Sequence, residues 1–206
     1  MDYPIKWIRK KGNKNMYLRV RDGVIYVTSP YTTTERQVYS FIESKKDWIL
    51  KQKDIQPSIL QEGYRTQVLG KSVVVHFSDH CSYQGDQLIL SNKIATNKRF
   101  LQSLVQPIIE HRFSYWSKVM GIDNIEIKYG FYKSKWGSCT PSKRLIRFNV
   151  YLVFTDQQII DSIIVHELAH MRHCNHSKYF YNEIDKYLKN YREIECRLKK
   201  LVVPKL

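Results

Sequence analysis

Residues 166–176 read "HELAHMRHCNH", four histidines and one glutamate within eleven positions, the densest run of metal-binding side chains in the chain. His166 and His170 are four residues apart, so on a helix they lie one turn apart, roughly 6 Å in rise, on one face. Two imidazoles can close on a single ion from there. Glu167 is rotated away from that face, a poor ligand but well placed to hold a metal-bound water by hydrogen bond. A third ligand cannot come from position 173 or 174 of a straight helix, roughly 10–12 Å along the axis from His166, when zinc–nitrogen bonds are about 2 Å. The spacing therefore predicts that the helix ends near His173 or Cys174. Asn175 is then expected in the left-handed conformation that asparagine tolerates, and the chain returns to bring His176 to the ion. Three imidazoles and an acid suit a catalytic zinc with one open position, although manganese, cobalt or nickel accept the same donors. A structural zinc would want four protein ligands, commonly thiolates.

The elements that must hold this cluster follow from periodicity. Thr155 with Gln158 resembles a capping box, and Ile159, Ile160, Ile163, Ile164 and Leu168 form a wide apolar face leading into the histidines. After His176, the apolar positions Phe180, Ile184, Tyr187, Tyr191, Ile194, Leu198 and Leu201 predict one final helix. Upstream, "KRFLQSLVQPIIEHRFSYWSKVM" at 98–120 reads as a helix stopped by Gly121, kinked or divided at Pro107. Strand-like segments "IEIKYGFY" and "RLIRFNVYLVF" follow, joined through "SKWGSCTPSK", where Pro141 suggests a turn. The first half alternates apolar and polar residues. It predicts a hairpin turning at Asp22-Gly23, a helix from Thr34 to about Lys53 ended by "DIQPS", a second hairpin around Gly70-Lys71 and a short strand at 88–90. The expected fold class is α+β, with a β-rich region carrying one helix over 1–95 and a catalytic domain over 96–206.

Lys and Arg number 34 against 19 Asp and Glu, a formal charge of +15. That balance favours phosphate-bearing or acidic partners, and it also serves solubility. The four cysteines Cys81, Cys139, Cys174 and Cys196 form no C-x-x-C pair, and the N-terminus lacks the apolar run of a secretory signal. A reducing cytoplasm is the expected compartment. No stretch approaches the roughly 20 apolar residues of a membrane span, so no membrane partner is expected.

The run "KSKWGSCTPSKRLIRFN", an apolar segment, and then "VHELAHMRHCNHSKYF" is similar to the YgjP-like metallopeptidase family, relatives of the SprT-like and WLM zinc proteases. The resemblance covers nearly the whole chain. It implies a β-rich N-terminal region followed by a compact zincin-like domain, with the H-E-x-x-H helix packed on a small sheet. It also implies zinc on His166, His170 and His176, and Glu167 as acid/base in hydrolysis of a peptide or protein. An extended peptide could pair with the strand beginning near Trp136, which makes Trp136, Gly137 and Ser138 candidate substrate-binding residues. The same three residues equally suit a strand with a tight turn and one buried indole.

Two other functions compete. Lys128, Lys133, Lys135, Lys143, Arg144 and Arg147 precede the histidine helix with no acidic residue among them. Such a stretch could neutralise a polyphosphate, and similar family members have been assigned nucleoside triphosphate pyrophosphatase activity, which makes UTP or a related nucleotide an alternative substrate. The segment from Lys6 to Arg21 holds seven bases and no acid, with Trp7 and Tyr17 among them. It fits either contact with nucleic acid, as in a DNA-associated SprT- or WLM-like protease, or a solvated hairpin.

Overall fold

The computed structural model describes residues 4–21, 24–53 and 60–206. Packing divides the chain into two units, Met1–Ser58 and Ile59–Leu206. The first unit contains strands β1 (Ile5–Arg9), β2 (Tyr17–Arg21) and β3 (Val24–Ser29) and helices α1 (Glu35–Ser44) and α2 (Lys46–Lys53). β3 is central, parallel to β1 and antiparallel to β2. Arg21 stands opposite Val24, as a hairpin requires, while Asp22 and Gly23 themselves lie outside the described residues. Thr34 caps α1 in a reciprocal box: its hydroxyl accepts from the Gln37 N–H, and Gln37 Oε1 accepts from the Thr34 N–H at 2.8 Å. The single helix expected to Lys53 is two helices, broken at Lys45. The "DIQPS" stop lies outside the described residues.

The second unit opens with a four-stranded sheet of β4 (Arg65–Val68), β5 (Lys71–Ser78), β6 (Ser82–Gln84) and β7 (Gln87–Ser91), in the order β4-β5-β7-β6. The hairpin joining β4 to β5 turns on Leu69 and Gly70, both at positive φ, one residue earlier than the sequence suggested. The sheet's inward residues Val68, Val73, Val75, Leu88 and Leu90 share one core with Leu101, Ile164 and Leu168 from the helical part. For that reason the division falls after Ser58 rather than after residue 95. Alternation of apolar residues reveals a strand but not which core it joins.

Helix α3 (Ile94–Met120) buries Leu101, Val105, Ile109, Phe113, Trp116 and Met120 at steps of four and three. It remains one helix through Pro107, since the buried stripe continues in register on both sides of the proline. Gly121, at φ 61°, ends it in the left-handed conformation. Next comes a three-stranded sheet of β8 (Glu126–Gly130), β9 (Gly137–Thr140) and β10 (Leu145–Asn149), with β10 central, parallel to β8 and antiparallel to β9. β9 is therefore an edge strand. Helix α4 (Gln157–Ala169) is capped by Asp156, whose carboxylate accepts from the Ile159 N–H at 3.0 Å. Thr155, expected as the cap, instead donates its hydroxyl to the Leu152 carbonyl at 2.7 Å. Arg112 of α3 holds Asp161 of α4 by two hydrogen bonds of 2.6 and 2.8 Å. The final helix is also two, α5 (Lys178–Asp185) and α6 (Tyr191–Lys200). The architecture is α+β, and among the described residues no helix is long and apolar enough to cross a membrane.

Candidate metal centre

Helix α4 is buried almost throughout, and its last turn carries His166 and Glu167. It stops at Ala169, earlier than expected, with His170 as its C-cap. The reversal that follows is built from tight backbone turns: Met171 N–H donates to Leu168 O, and Arg172 and His173 N–H both donate to Ala169 O. Asn175 is not among the non-glycine residues with positive φ, so the left-handed bend expected there is replaced by this winding directly after the helix. The consequence for His176 is the one the spacing required. One ring nitrogen from each of His166, His170 and His176 lies within 4.8 Å of the others.

The three imidazoles suit a divalent cation. His176 Nε2 and His166 Nε2 are 3.2 Å apart, close to the spacing of about 3.3 Å between neighbouring ligands in a tetrahedral centre with 2.0–2.1 Å bonds. The second ring nitrogens of His170 and His166 are engaged from behind. His170 Nδ1–H donates to the His173 carbonyl at 3.0 Å, which leaves its Nε2 free as a lone pair. His166 Nδ1 is 2.7 Å from the Tyr191 hydroxyl of α6. Phe180 packs against all three rings at centroid distances of 4.5–4.9 Å. Burial, with His170 and His176 adding to it, pushes His166 down to about 3. Burial also lowers His170, more than the His173 carbonyl raises it. Both rings are thus neutral at pH 7, the form that binds a cation.

Glu167 is 5% exposed, and its Oε2 has no hydrogen-bond partner among the described residues. Burial pushes its carboxyl up to about 8, against the opposing pull of Lys135 and the Cys139 N–H. Gly137 of β9 makes room for it: a Cβ there would lie 2.5 Å from Glu167 Oε1. Two recesses meet at Gly137, His166 and Glu167. One, of about 380 Å³, also takes in Ser138, Cys139, His170 and His176. The other, of about 240 Å³, has apolar walls from Trp136, Ile163 and Leu198. Trp136, Gly137 and Ser138 therefore all border the site. Gly137 and Ser138 pair on one side with Phe148 and Arg147, while the far edge of β9 has no strand partner within its sheet.

Sequence reasoning missed two supports of this arrangement. Tyr191 was visible only as one member of an apolar stripe. Asn149, 3% exposed, donates to the carbonyls of Tyr132 and Lys135 at 2.8 and 2.7 Å and so shapes the loop entering β9. No local signal marks either residue. The six basic residues expected as a polyphosphate clamp are dispersed, and none lines either recess. Lys128 pairs with Glu126, Lys135 bonds the Ser138 hydroxyl, and Arg144 bonds the carbonyls of Asp123 and Asn124. Cys174 is exposed and lines the same recess as His176.

The family model for the YgjP-like metallopeptidase domain matches residues 14–201. The chain belongs to the YgjP-like metallopeptidase family. Among solved structures it is similar to the metallopeptidase zymogen abylysin of Pyrococcus abyssi, at 20% identity and a TM-score of 0.42, over 48% of this chain and 99% of that one. It is also similar to the metallopeptidase zymogen jannalysin of Methanocaldococcus jannaschii, at 30% identity and a TM-score of 0.41, over 45% of this chain and 94% of that one. No curated protein matches it. As a YgjP-like chain it carries the H-E-x-x-H pair on α4 and its third histidine on the turn beyond, inside the matched span.

Proposed function

We propose that this YgjP-like chain is a zinc-dependent peptidase in which His166, His170 and His176 hold the ion and Glu167 carries the proton. The observation that supports it most is the meeting, on one recess wall, of three converging imidazoles and a buried carboxylate oxygen without a protein partner. An ion bound there supplies Lewis acidity to a scissile carbonyl and lowers the pKa of water from 15.7 in bulk toward about 7.

The remaining work falls to the chain itself. Beside a cation held by the three histidines, which would offset the burial that raises its pKa, Glu167 favours its ionised form. Its Oε2 would then take a proton from the attacking water as the water oxygen bonds to the carbonyl carbon. It then delivers that proton to the departing nitrogen as the C–N bond breaks. The unpaired edge of β9 offers backbone N–H and C=O groups to an extended peptide, and the recesses on either side of Glu167 take side chains flanking the scissile bond. Tyr191 and the His173 carbonyl keep His166 and His170 turned toward the ion. Lys135 reaches the rim through the Ser138 hydroxyl and Lys199 lines one recess, but the six-residue basic clamp that would favour a polyphosphate is not assembled there, so a peptide fits better than a nucleotide.

The test is Glu167→Gln in zinc-loaded protein, assayed on a casein or mixed-peptide digest and on a nucleotide panel. The expected result is peptide cleavage by the wild type, loss of at least about a hundredfold in the variant, and equal zinc content in both. Cleavage by the variant at the wild-type rate would remove Glu167 from the mechanism. Pyrophosphate release without peptide cleavage would replace the peptidase reading with the nucleotide one.

A further inference from the structure

The sheet of the first unit has two unlike faces. Ile25, Val27 and Ser29 of β3 are buried, the two apolar ones in a small core with Val38, Ile42 and Ile49 of the helices. Side chains alternate along a strand, so the other face is made by Tyr26 and Thr28 and by the residues in register with them. Lys6 of β1 and Arg19 of β2 flank Tyr26; Ile8 of β1 and Tyr17 of β2 flank Thr28. Ile8 is 50% and Tyr17 53% exposed, Lys6 and Arg19 are exposed, and Tyr26 is half-buried. One row across the strands thus reads cation, aromatic, cation, and the next reads aliphatic, hydroxyl, aromatic. Lys6 Nζ lies over the Tyr26 ring, 5.9 Å from its centroid. No acidic residue occupies any of the three strands.

Trp7, one of the two aromatics that the sequence offered for contact with nucleic acid, belongs to the opposite face. Its indole Nε1–H donates to Ser29 Oγ at 2.8 Å, and the Arg9 guanidinium covers its ring at 4.3 Å. Tyr17, the other one, remains a candidate stacking surface, and Tyr26 joins it.

We propose that this face binds single-stranded nucleic acid, with bases on Tyr17 and Tyr26 and phosphates on Lys6 and Arg19. The two tyrosines are diagonal neighbours on adjacent strands, so their Cα atoms stand roughly 7–8 Å apart, which gives each ring room for its own base. Charge and ring chemistry together select the ligand. An acidic peptide would use the cations and leave the rings idle, and a duplex would offer phosphates while keeping its bases stacked. A single strand satisfies both, since every base has a face that stacks on an aromatic ring and every link carries a negative charge. The face belongs to the first unit and the histidine cluster to the second, and the proposed binding uses none of the histidines.

The experiment is fluorescence anisotropy of a short labelled oligodeoxythymidine or oligouridine titrated with the full chain over a range of salt concentrations. Tyr17→Val with Tyr26→Val is expected to weaken binding about tenfold or more, while phenylalanine at both positions preserves it. Lys6→Gln with Arg19→Gln is expected to make the log–log salt slope shallower by about 1.4, at about 0.7 per phosphate for single strands. Because Lys6 and Arg19 are exposed, this pair tests the face even if the valine pair misfolds. A control pair remote in sequence, Lys143→Gln with Lys189→Gln, should leave the slope near that of the wild type. Absence of binding would overturn the proposal. So would a control pair as damaging as the face pair, folded valine variants that bind normally, or polyglutamate competing as well as the oligonucleotide.

Discussion

The hydroxyl of Tyr191 lies 2.7 Å from Nδ1 of His166 and ties helix α6 to the first histidine of the cluster. Burial raises the phenol's pKa, so the hydroxyl is neutral throughout the working range and serves as a hydrogen-bond partner rather than a charge. Such partners fix the orientation of a ligating imidazole, and their loss typically lowers metal affinity 10–100-fold. Tyr191→Phe should therefore weaken zinc binding by about that factor while keeping the ring's packing. Competition with a chromophoric chelator measures it; unchanged affinity would confine Tyr191 to a packing role.

Gly137 and Glu167 make a second pairing. The strand passes so close to the carboxylate that a Cβ at 137 would come within 2.5 Å of Oε1 and 2.8 Å of Cγ. Glu167 is too enclosed to retreat freely, so Gly137→Ala should displace it. Misplacement of a reacting group by about 1 Å can cost roughly a hundredfold in rate. We expect a loss of that order in kcat/KM at unchanged zinc content, with metal analysis and peptide assays read together. Full activity in the alanine variant would mean that the carboxylate works from a different position.

The two imidazoles one helical turn apart were readable in the sequence because that relationship is local, and His176 followed because a straight helix cannot supply a third ligand. The device that returns the chain was not. It rests on three successive N–H groups folding back onto the carbonyls of Leu168 and Ala169, which no particular side chain advertises, whereas Asn175 had the right chemistry without that role. Asn149 and Tyr191 act on residues 14 to 25 positions away, a distance at which periodicity carries no information. Trp7 falls on the core side because it pairs in register with the buried Val27, a relationship between strands that the local sequence does not reveal. The division after Ser58 rather than residue 95 has the same origin, since a strand pattern does not say which helices will cover it.

Arg112 and Asp161 join α3 to the helix that carries His166, through two hydrogen bonds between side chains only 18% and 12% exposed. Removing one partner leaves the other charge poorly solvated. Asp161→Ala should destabilise the chain by about 3 kcal/mol, toward the low end for a buried pair because both side chains keep some contact with water. Urea unfolding gives the value; a loss under about 1 kcal/mol would place the pair with ordinary surface ion pairs.

Glu183 supplies a pH dependence. Burial alone would raise its carboxyl, but hydrogen bonds from Lys186 and Arg172 outweigh burial and hold it below the ordinary value of 4.5. A carboxyl depressed in the folded state stabilises the fold above its unfolded pKa, and that contribution disappears as the pH falls through the folded value. The difference in stability between wild type and Glu183→Gln should thus be constant near neutrality and shrink on acidification below about 4.5. Urea midpoints at a series of pH values test it, and a difference that grows in acid would reverse the sign.

The account depends most on one ion shared by His166, His170 and His176. Diffraction from zinc-loaded crystals, measured on both sides of the zinc absorption edge, tests this directly. The expected result is a single anomalous peak bonded to one nitrogen of each histidine at about 2.0–2.1 Å, with no fourth protein ligand. A peak that leaves out His176, a fourth ligand from Cys174 or Cys139, or no peak at this cluster would contradict it.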